Sequence, residues 1–386
     1  MRILIKNGNT ILPDKILKNS AVLIENGRIK DILKDPDYEI ETDETIDAQG
    51  NYISPGFIDT HVHGGGGYDV MDGTRESLET IAKTHLKYGM TSFLPTTLTN
   101  SKEKIQNAIK NVYQVMNSDY EGARILGVRL EGPYFSMRFR GAQNPAYLVK
   151  PSIEHYLELT QGFDIIKMVS MAPELEGAFE VGKYLAENGI CVSVAHSDAD
   201  FSCVEKAVQN GFSHITHMYN GMSYLNSPDY YCKTGVAEAG LLLDELSTEI
   251  IADGKHMPPE LLKLVFKCKG CDKMLLVSDA TRPTDMPEGN YELGGLDVIV
   301  TDGVAMLADR TSFAGSVATA DRLVRVAYKQ AGFRLQDAVK MASLNHARLV
   351  GMDNEIGSIM IGKKADILIF DDDINIKNVF LNGLLK

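Results

Sequence analysis

The stretch Phe57-Ile58-Asp59-Thr60-His61-Val62-His63-Gly64, followed by Gly65, Gly66 and Gly67, decides how the rest of the chain is read. Residues two apart on a β-strand project to one face, so His61 and His63 can present two imidazoles to one point while Val62 turns into packing. That is the geometry of a metal clip. The glycines are expected to turn the backbone sharply and to leave space above the clip for a substrate. Taken alone, a His-x-His equally describes two half-buried histidines in a polar turn. How later strands end decides between the two readings.

Seven further apolar runs of strand length follow: Thr91 to Leu94, Ile125 to Glu131, Ile165 to Met171, Cys191 to His196, His214 to His217, Glu249 to Ala252 and Met274 to Ser278. Helical stretches separate most of them. In Arg75 to Lys87, Leu78, Ile81, Ala82 and His85 fall at i, i+3, i+4 and i+7, and Gly89 follows as a stop. Ser101 to Met116, Glu174 to Asn188, Phe201 to Asn210 and Pro258 to Lys267 read alike. Eight strand-helix units predict an α/β fold, a (β/α)8 TIM-type barrel spanning 55–347, with its chemistry at the C-terminal ends of the strands. The flanks differ. Residues 1–54 give short strands broken by Asn7-Gly8 and Asn26-Gly27, and residues 348–386 have the same character. Neither flank can bury a core alone, so the two are expected to combine into one small β-sandwich domain formed from both chain ends.

Composition narrows the function classes. With 386 residues, 44% of them hydrophobic and 24% charged, the chain can bury a sizeable core. A net charge of −13 argues against nucleic acid or an anionic membrane surface as a general partner. Five cysteines in a chain of this size do not read as a disulfide framework. No apolar run reaches the roughly 18 residues of a membrane span, and Arg2-Ile3-Leu4-Ile5-Lys6 reads as a strand, not a signal peptide. The expectation is a soluble, cytoplasmic protein.

Placed on the barrel, His61 and His63 end the first run, Glu131 the third, His196 the fifth and His217 the sixth, with Asp279 just past the eighth. All six should face one mouth. Four of nine histidines at strand C-termini is a coincidence that chance rarely supplies. A carboxylate among several imidazoles suits Zn²⁺ or Fe²⁺ better than Mg²⁺ or Ca²⁺, which prefer oxygen ligands.

His61-Val62-His63-Gly64, Leu130-Glu131-Gly132-Pro133, Ala195-His196-Ser197, Thr216-His217-Met218-Tyr219-Asn220-Gly221-Met222, Ala252-Asp253-Gly254-Lys255-His256, Ser278-Asp279-Ala280 and Ala314-Gly315-Ser316 resemble, in order and spacing, the N-acetylglucosamine-6-phosphate deacetylases of the amidohydrolase superfamily. The resemblance runs nearly end to end. It implies a metal-dependent deacetylase that hydrolyses the acetamido group to give the amino sugar phosphate and acetate. Glu131, His196 and His217 would hold the main divalent ion, zinc or iron, and His61 and His63, with Glu131 as a bridge, a second. Asp279 would be the general base and then the acid. Ala142, Gln143, Asn220, Gly221, Cys232, His256, Phe313, Ala314 and Gly315 would meet the substrate, and the protein would be a homodimer. Alternatives on the same scaffold are an N-acyl-amino-acid hydrolase, or a deacetylase of a non-phosphorylated or galacto-configured N-acetylhexosamine.

Two segments depart from the family pattern. Gly-x-His-Asn-Pro, whose histidine helps to polarise the acetyl carbonyl, reads Gly141-Ala142-Gln143-Asn144-Pro145 here, and glutamine cannot carry charge. The phosphate-binding His-Arg-Glu-Pro-Gly segment aligns with Tyr231-Cys232-Lys233-Thr234-Gly235, which replaces a bidentate guanidinium by Cys232 with Lys233 beside it as a point charge. The first change bears on how strongly the acetyl carbonyl is activated, the second on whether the substrate carries a 6-phosphate. Cys268-Lys269-Gly270-Cys271 has no second cysteine pair and reads as structural, as do His85, His155, His214 and His346.

Overall fold

A computed structural model describes residues 1–34, 40–227 and 230–386. Eight parallel strands form the centre: β1 (Phe57–Val62), β2 (Met90–Pro95), β3 (Val128–Glu131), β4 (Ile166–Met171), β5 (Cys191–Val194), β6 (Phe212–Ile215), β7 (Ser247–Ile251) and β8 (Met274–Val277). β3 to β8 pair in sequence order, and β1 pairs with β2. Parallel bridges Thr96–Arg129 and Val62–Ala280 join β2 to β3 and β8 to β1, which closes the ring. β1, β2, β3 and β8 are buried at every position, as strands covered on both faces must be.

Helices α1 (Arg75–Lys87), α2 (Lys102–Met116), α3 (Ile153–Thr160), α4 (Ala178–Glu187), α5 (Phe201–Gln209), α6 (Val236–Leu242), α7 (Pro259–Lys269) and α8 (Ala320–Arg325) follow the strands in turn. The local sequence explains their bounds. Thr74 and Ser77 form a capping box at the start of α1, and its buried face is Leu78, Ile81, Ala82 and His85, the face expected from the 3.6-residue period. Ser101 and Asp200 cap α2 and α5 through their side chains.

Both ends of the chain enter one eight-stranded sheet. Its order runs from Leu384–Leu385 through Ile376–Leu381, Ile367–Phe370, Tyr52–Pro55, Arg2–Ile11 and Ile16–Glu25 to Arg28–Leu33, and Glu44–Asp47 also pairs with Arg2–Ile11. Ile3, Ile5, Val22, Ile24, Ile53, Ile367, Ile369 and Phe380 share its core, so residues from both termini pack on one another. Arg124, just before β3, reaches this sheet with two bonds to Asp366 at 2.6 and 3.1 Å and one to Asn382 at 2.6 Å.

The glycine run turns the backbone sharply, as expected, but as a hairpin of its own that does not line the substrate cavity. Gly64–Gly65 pairs antiparallel with Tyr68–Asp69, and Gly66 and Gly67 at φ +62° and +87° make the tight turn. The hairpin is held by Arg282 Nη1 donating to the Gly67 carbonyl (3.0 Å) and His85 Nε2 to the Gly64 carbonyl (2.9 Å). A second feature was not expected: after β8, an antiparallel three-stranded insertion (Gly289–Leu293, Leu296–Thr301, Val304–Leu307) packs over Leu98 and Ala314 beside the mouth.

Candidate metal centre and substrate cavity

The six residues expected at the mouth converge. Glu131 lies between the groups: its Oε1 is 3.1 Å from His61 Nε2, 3.4 Å from His217 Nε2 and 3.7 Å from His196 Nε2, and its Oε2 is 3.2 Å from His63 Nε2. Asp279 Oδ1 is 3.3 and 3.2 Å from Nε2 of His61 and His63. Two buried triads result, His61-His63-Asp279 and Glu131-His196-His217, each with its ligand atoms within 4.8 Å of one another. Asp279 therefore sits with the His-x-His pair as closely as Glu131 does. Backbone strain accompanies the arrangement. His196, His217 and Asp279 have φ of +45°, +24° and +51°, a region that costs a non-glycine residue on the order of 1 kcal/mol and that is held only where the surroundings dictate it.

These donors fit a divalent cation. Glu131 Oε1 is fully buried and makes no well-directed hydrogen bond although three imidazole nitrogens approach it. Nitrogen donors gathered around one unpartnered carboxylate oxygen are the ligand set a cation of this kind takes. Burial would raise the Glu131 pKa, but the charge on His61 and contacts with His196, His217 and His61 hold it well below the carboxylate range. Asp279, also opposed by burial, is brought down to about 2 by His61 and His63. Burial disfavours charge on His63, yet Asp279 and Glu131 raise its pKa to about 10. The two carboxylates thus favour positive charge beside them, which a dication would supply by displacing imidazole protons.

Partners behind the candidate ligands hold their orientation. His196 Nδ1 donates to the Phe139 carbonyl at 2.8 Å. His61 Nδ1 lies 3.2 Å from Glu249 Oε2, and Glu249 is ion-paired with Arg129 at the barrel floor. Gln143 is committed at both ends: Oε1 accepts from Thr99 N and Nε2 donates to Glu131 Oε2, each at 2.9 Å. Its amide steadies the central carboxylate. His214 lies on the floor against Glu249 at 3.2 Å, away from the mouth.

Above the triads opens a cavity of about 700 Å³ lined by His63, Glu131, His196, His217 and Asp279, and also by Ala142, Gln143, Asn220, Gly221, His256, Phe313 and Gly315. Asp253 Oδ2 accepts from His256 Nδ1 at 2.9 Å, and the Phe313 ring lies 4.4 Å from that imidazole, centroid to centroid. Gly221 has to be glycine. Its φ is +57°, and a Cβ there would meet His196 Nδ1 at 2.7 Å. Three expected residues fall elsewhere. Ala314 is buried behind the wall, where its carbonyl accepts from Thr281 Oγ1 (3.3 Å). Cys232 is exposed, and Lys233 lines a separate cavity with Arg138, Asp198 and Asn226. Neither lines the cavity above the triads, so neither replaces a guanidinium there within this chain. The walls hold residues the sequence did not single out: Arg138 and Arg140, and Asp309 to Ser312 behind the insertion.

Residues 52–385 match the Amidohydrolase family. An N-acetylglucosamine-6-phosphate deacetylase of Bacillus subtilis (strain 168) is 33% identical over 378 residues, 97% of this chain and 94% of that one. An N-acetylgalactosamine-6-phosphate deacetylase of Escherichia coli O157:H7 is 32% identical, covering 96% of this chain and 98% of that one. The crystal structure of an N-acetylglucosamine-6-phosphate deacetylase from Pasteurella multocida superposes with a TM-score of 0.93 at 30% identity, covering 100% of both chains.

Proposed function

The chain belongs to the amidohydrolase family, and from that premise we propose that it is a metal-dependent hydrolase that removes the acetyl group of an N-acetylhexosamine 6-phosphate, releasing acetate and the amino sugar phosphate. What carries this reading is the meeting of Glu131, His196, His217, His61, His63 and Asp279 at the floor of one cavity. In it, Glu131, His196 and His217 would hold the main ion, zinc or iron, and His61 and His63 would help to hold a second. When bound, such an ion polarises the amide carbonyl and brings the pKa of a water toward about 7.

The chain's own groups move the proton. Asp279, ionised at neutral pH, accepts it from the attacking water as that oxygen bonds to the carbonyl carbon. The carbon–nitrogen bond then breaks, and Asp279 returns the proton to the departing amine. Gln143 keeps Glu131 in place, and His256, oriented by Asp253, meets the sugar together with Asn220 and Gly221. An alternative in which a carboxylated lysine on β4 bridges two ions has little support: Lys167 lies at the start of that strand, against Gly127.

Acetate release from the N-acetyl derivatives of glucosamine and galactosamine, each with and without 6-phosphate, combined with metal analysis of the purified protein, tests the reading. Turnover of a phosphorylated substrate by metal-containing protein supports it, and no acetate from any of the four removes it. Both epimers belong in the panel because relatives named for each are about equally similar. A cytoplasmic homodimer completes the proposal. Tyr224, Leu225 and Tyr231, 55%, 52% and 77% exposed, offer an apolar surface beside the mouth for a second copy, and light scattering reads the mass.

A further inference from the structure

The cavity carries more positive charge on its wall than hydrolysis of an amide needs. Arg138, Arg140 and Arg310 all line it, against Asp309 on the same wall. Arg138 is taken up by Asp198 at 3.1 Å. Asp309 Oδ1 accepts from Thr311 N and Oγ1 at 3.0 and 2.6 Å. Arg140 and Arg310 enter no ion pair among the described residues, and Arg140 Nε is buried without a hydrogen-bond partner. A buried guanidinium nitrogen left unpaired is costly, and the cost is recovered when an anion supplies the acceptor.

The position of Arg140 is set by the metal ligands themselves. One residue before it, the Phe139 carbonyl holds His196; three residues after it, Gln143 holds Glu131; and its own carbonyl accepts from Gln143 N at 3.0 Å. The segment that carries Arg310 touches this one, since a Cβ on Gly141 would come within 3.6 Å of Ser312 Oγ. Two arginines from distant parts of the chain therefore share one wall of the cavity whose floor is the reacting centre.

We propose that Arg140, assisted by Arg310, is the anchor for the phosphate of the substrate and sets the preference for phosphorylated over neutral amino sugars, so that this chain supplies its own guanidinium from inside the cavity. The proposal rests on the deacetylase reading and names the residues that select its substrate. Arg140 grips a phosphate in bidentate fashion, and Arg310 adds a second charge from the insertion side.

The measurement is kcat/KM for N-acetylglucosamine 6-phosphate divided by that for N-acetylglucosamine, in the metal-loaded wild type and in Arg140→Ala, Arg140→Lys and Arg310→Ala. The ratio should fall about 10- to 100-fold in Arg140→Ala, through KM and not kcat, and less in Arg310→Ala, with partial recovery in Arg140→Lys, which keeps the charge and loses the fork. An unchanged ratio in Arg140→Ala overturns the assignment, as does an equal loss on both sugars, which is the mark of a merely structural arginine. Calorimetric binding of glucose 6-phosphate against glucose, neither of which has an amide to hydrolyse, separates this proposal from the function it rests on. If the wild type hydrolyses neither substrate but prefers glucose 6-phosphate, and Arg140→Ala loses the preference, the anchor stands and the activity falls. If the wild type binds both sugars alike, the anchor falls.

Discussion

Asp279 and Gln143 show how one residue's surroundings decide its work. The Asp279 carboxylate is buried yet stays ionised because His61 and His63 flank it. Asp279→Asn keeps the shape and removes the proton acceptor. Acetate release should fall by about 10²- to 10⁴-fold while metal content, read by atomic emission, is kept; near-normal turnover would take the base role from Asp279. Gln143 was read from the sequence as a weaker carbonyl polariser. In the structure both ends of its amide are engaged, with Thr99 N and with Glu131, while the second Nε2 hydrogen is left for a substrate in the cavity it lines. Gln143→Ala leaves a Glu131 oxygen without its partner and should weaken metal binding by about 10- to 100-fold, as measured by competition with a chelator. Unaltered affinity would return Gln143 to the substrate side. The candidate metal ligands were legible because each lies at or just past the C-terminal end of a strand; the second bond of Gln143 was not, because Thr99 is 44 residues away.

At the scale of elements, the strands could be read in advance because barrel strands buried on both faces are near-continuous apolar runs that end in polar residues at one mouth. The insertion after β8 could have been read as well: Gly294-Gly295 and Asp302-Gly303 are hairpin turn signals between alternating stretches. What no periodicity reveals is a charge inside the barrel. Arg129 on β3 is fully buried and bonds Glu249 on β7, the Thr60 carbonyl on β1 (3.2 Å), Ser170 Oγ on β4 (3.2 Å) and Thr216 Oγ1 next to β6 (2.9 Å). One side chain thus ties five neighbourhoods of the ring together beneath the candidate metal ligands. Arg129→Met orphans the buried Glu249 carboxylate and should cost about 3–5 kcal/mol in chemical unfolding. Adding Glu249→Gln removes the stranded charge, so the double variant should be more stable than Arg129→Met alone. If it is less stable by the sum of the two single losses, the pair does not act as a unit.

For the molecule as a whole, the weak point of a closed barrel is the seam where the last strand meets the first. Here β8 and β1 are joined by a bridge and by side chains in place of a long ladder: Ser278 N donates to Asp59 Oδ2 at 2.8 Å, and His63 N and Gly64 N donate to the Ala280 carbonyl. His346, on the helix Leu344–Leu349, spans the same seam, with Nδ1 3.0 Å from Thr60 Oγ1 and Nε2 donating to the Leu276 carbonyl at 3.0 Å. Burial lowers its pKa from 6.5 to about 4, so the folded protein keeps it neutral where the unfolded chain takes a proton. The stability it contributes is complete above pH 6.5 and is lost as the pH falls from 6.5 toward 4, by up to about 3 kcal/mol. Asp59 and Asp69, raised to about 6 by burial, act in the opposite sense over much of that range, so the bulk acid-stability curve mixes the two. The difference between wild type and His346→Gln isolates the histidine. The variant should be less stable at pH 7 and lose less on acidification, so the gap narrows between pH 6.5 and 4.5 in urea unfolding. A gap that stays constant would mean that His346 titrates alike in both states and holds the seam by packing alone.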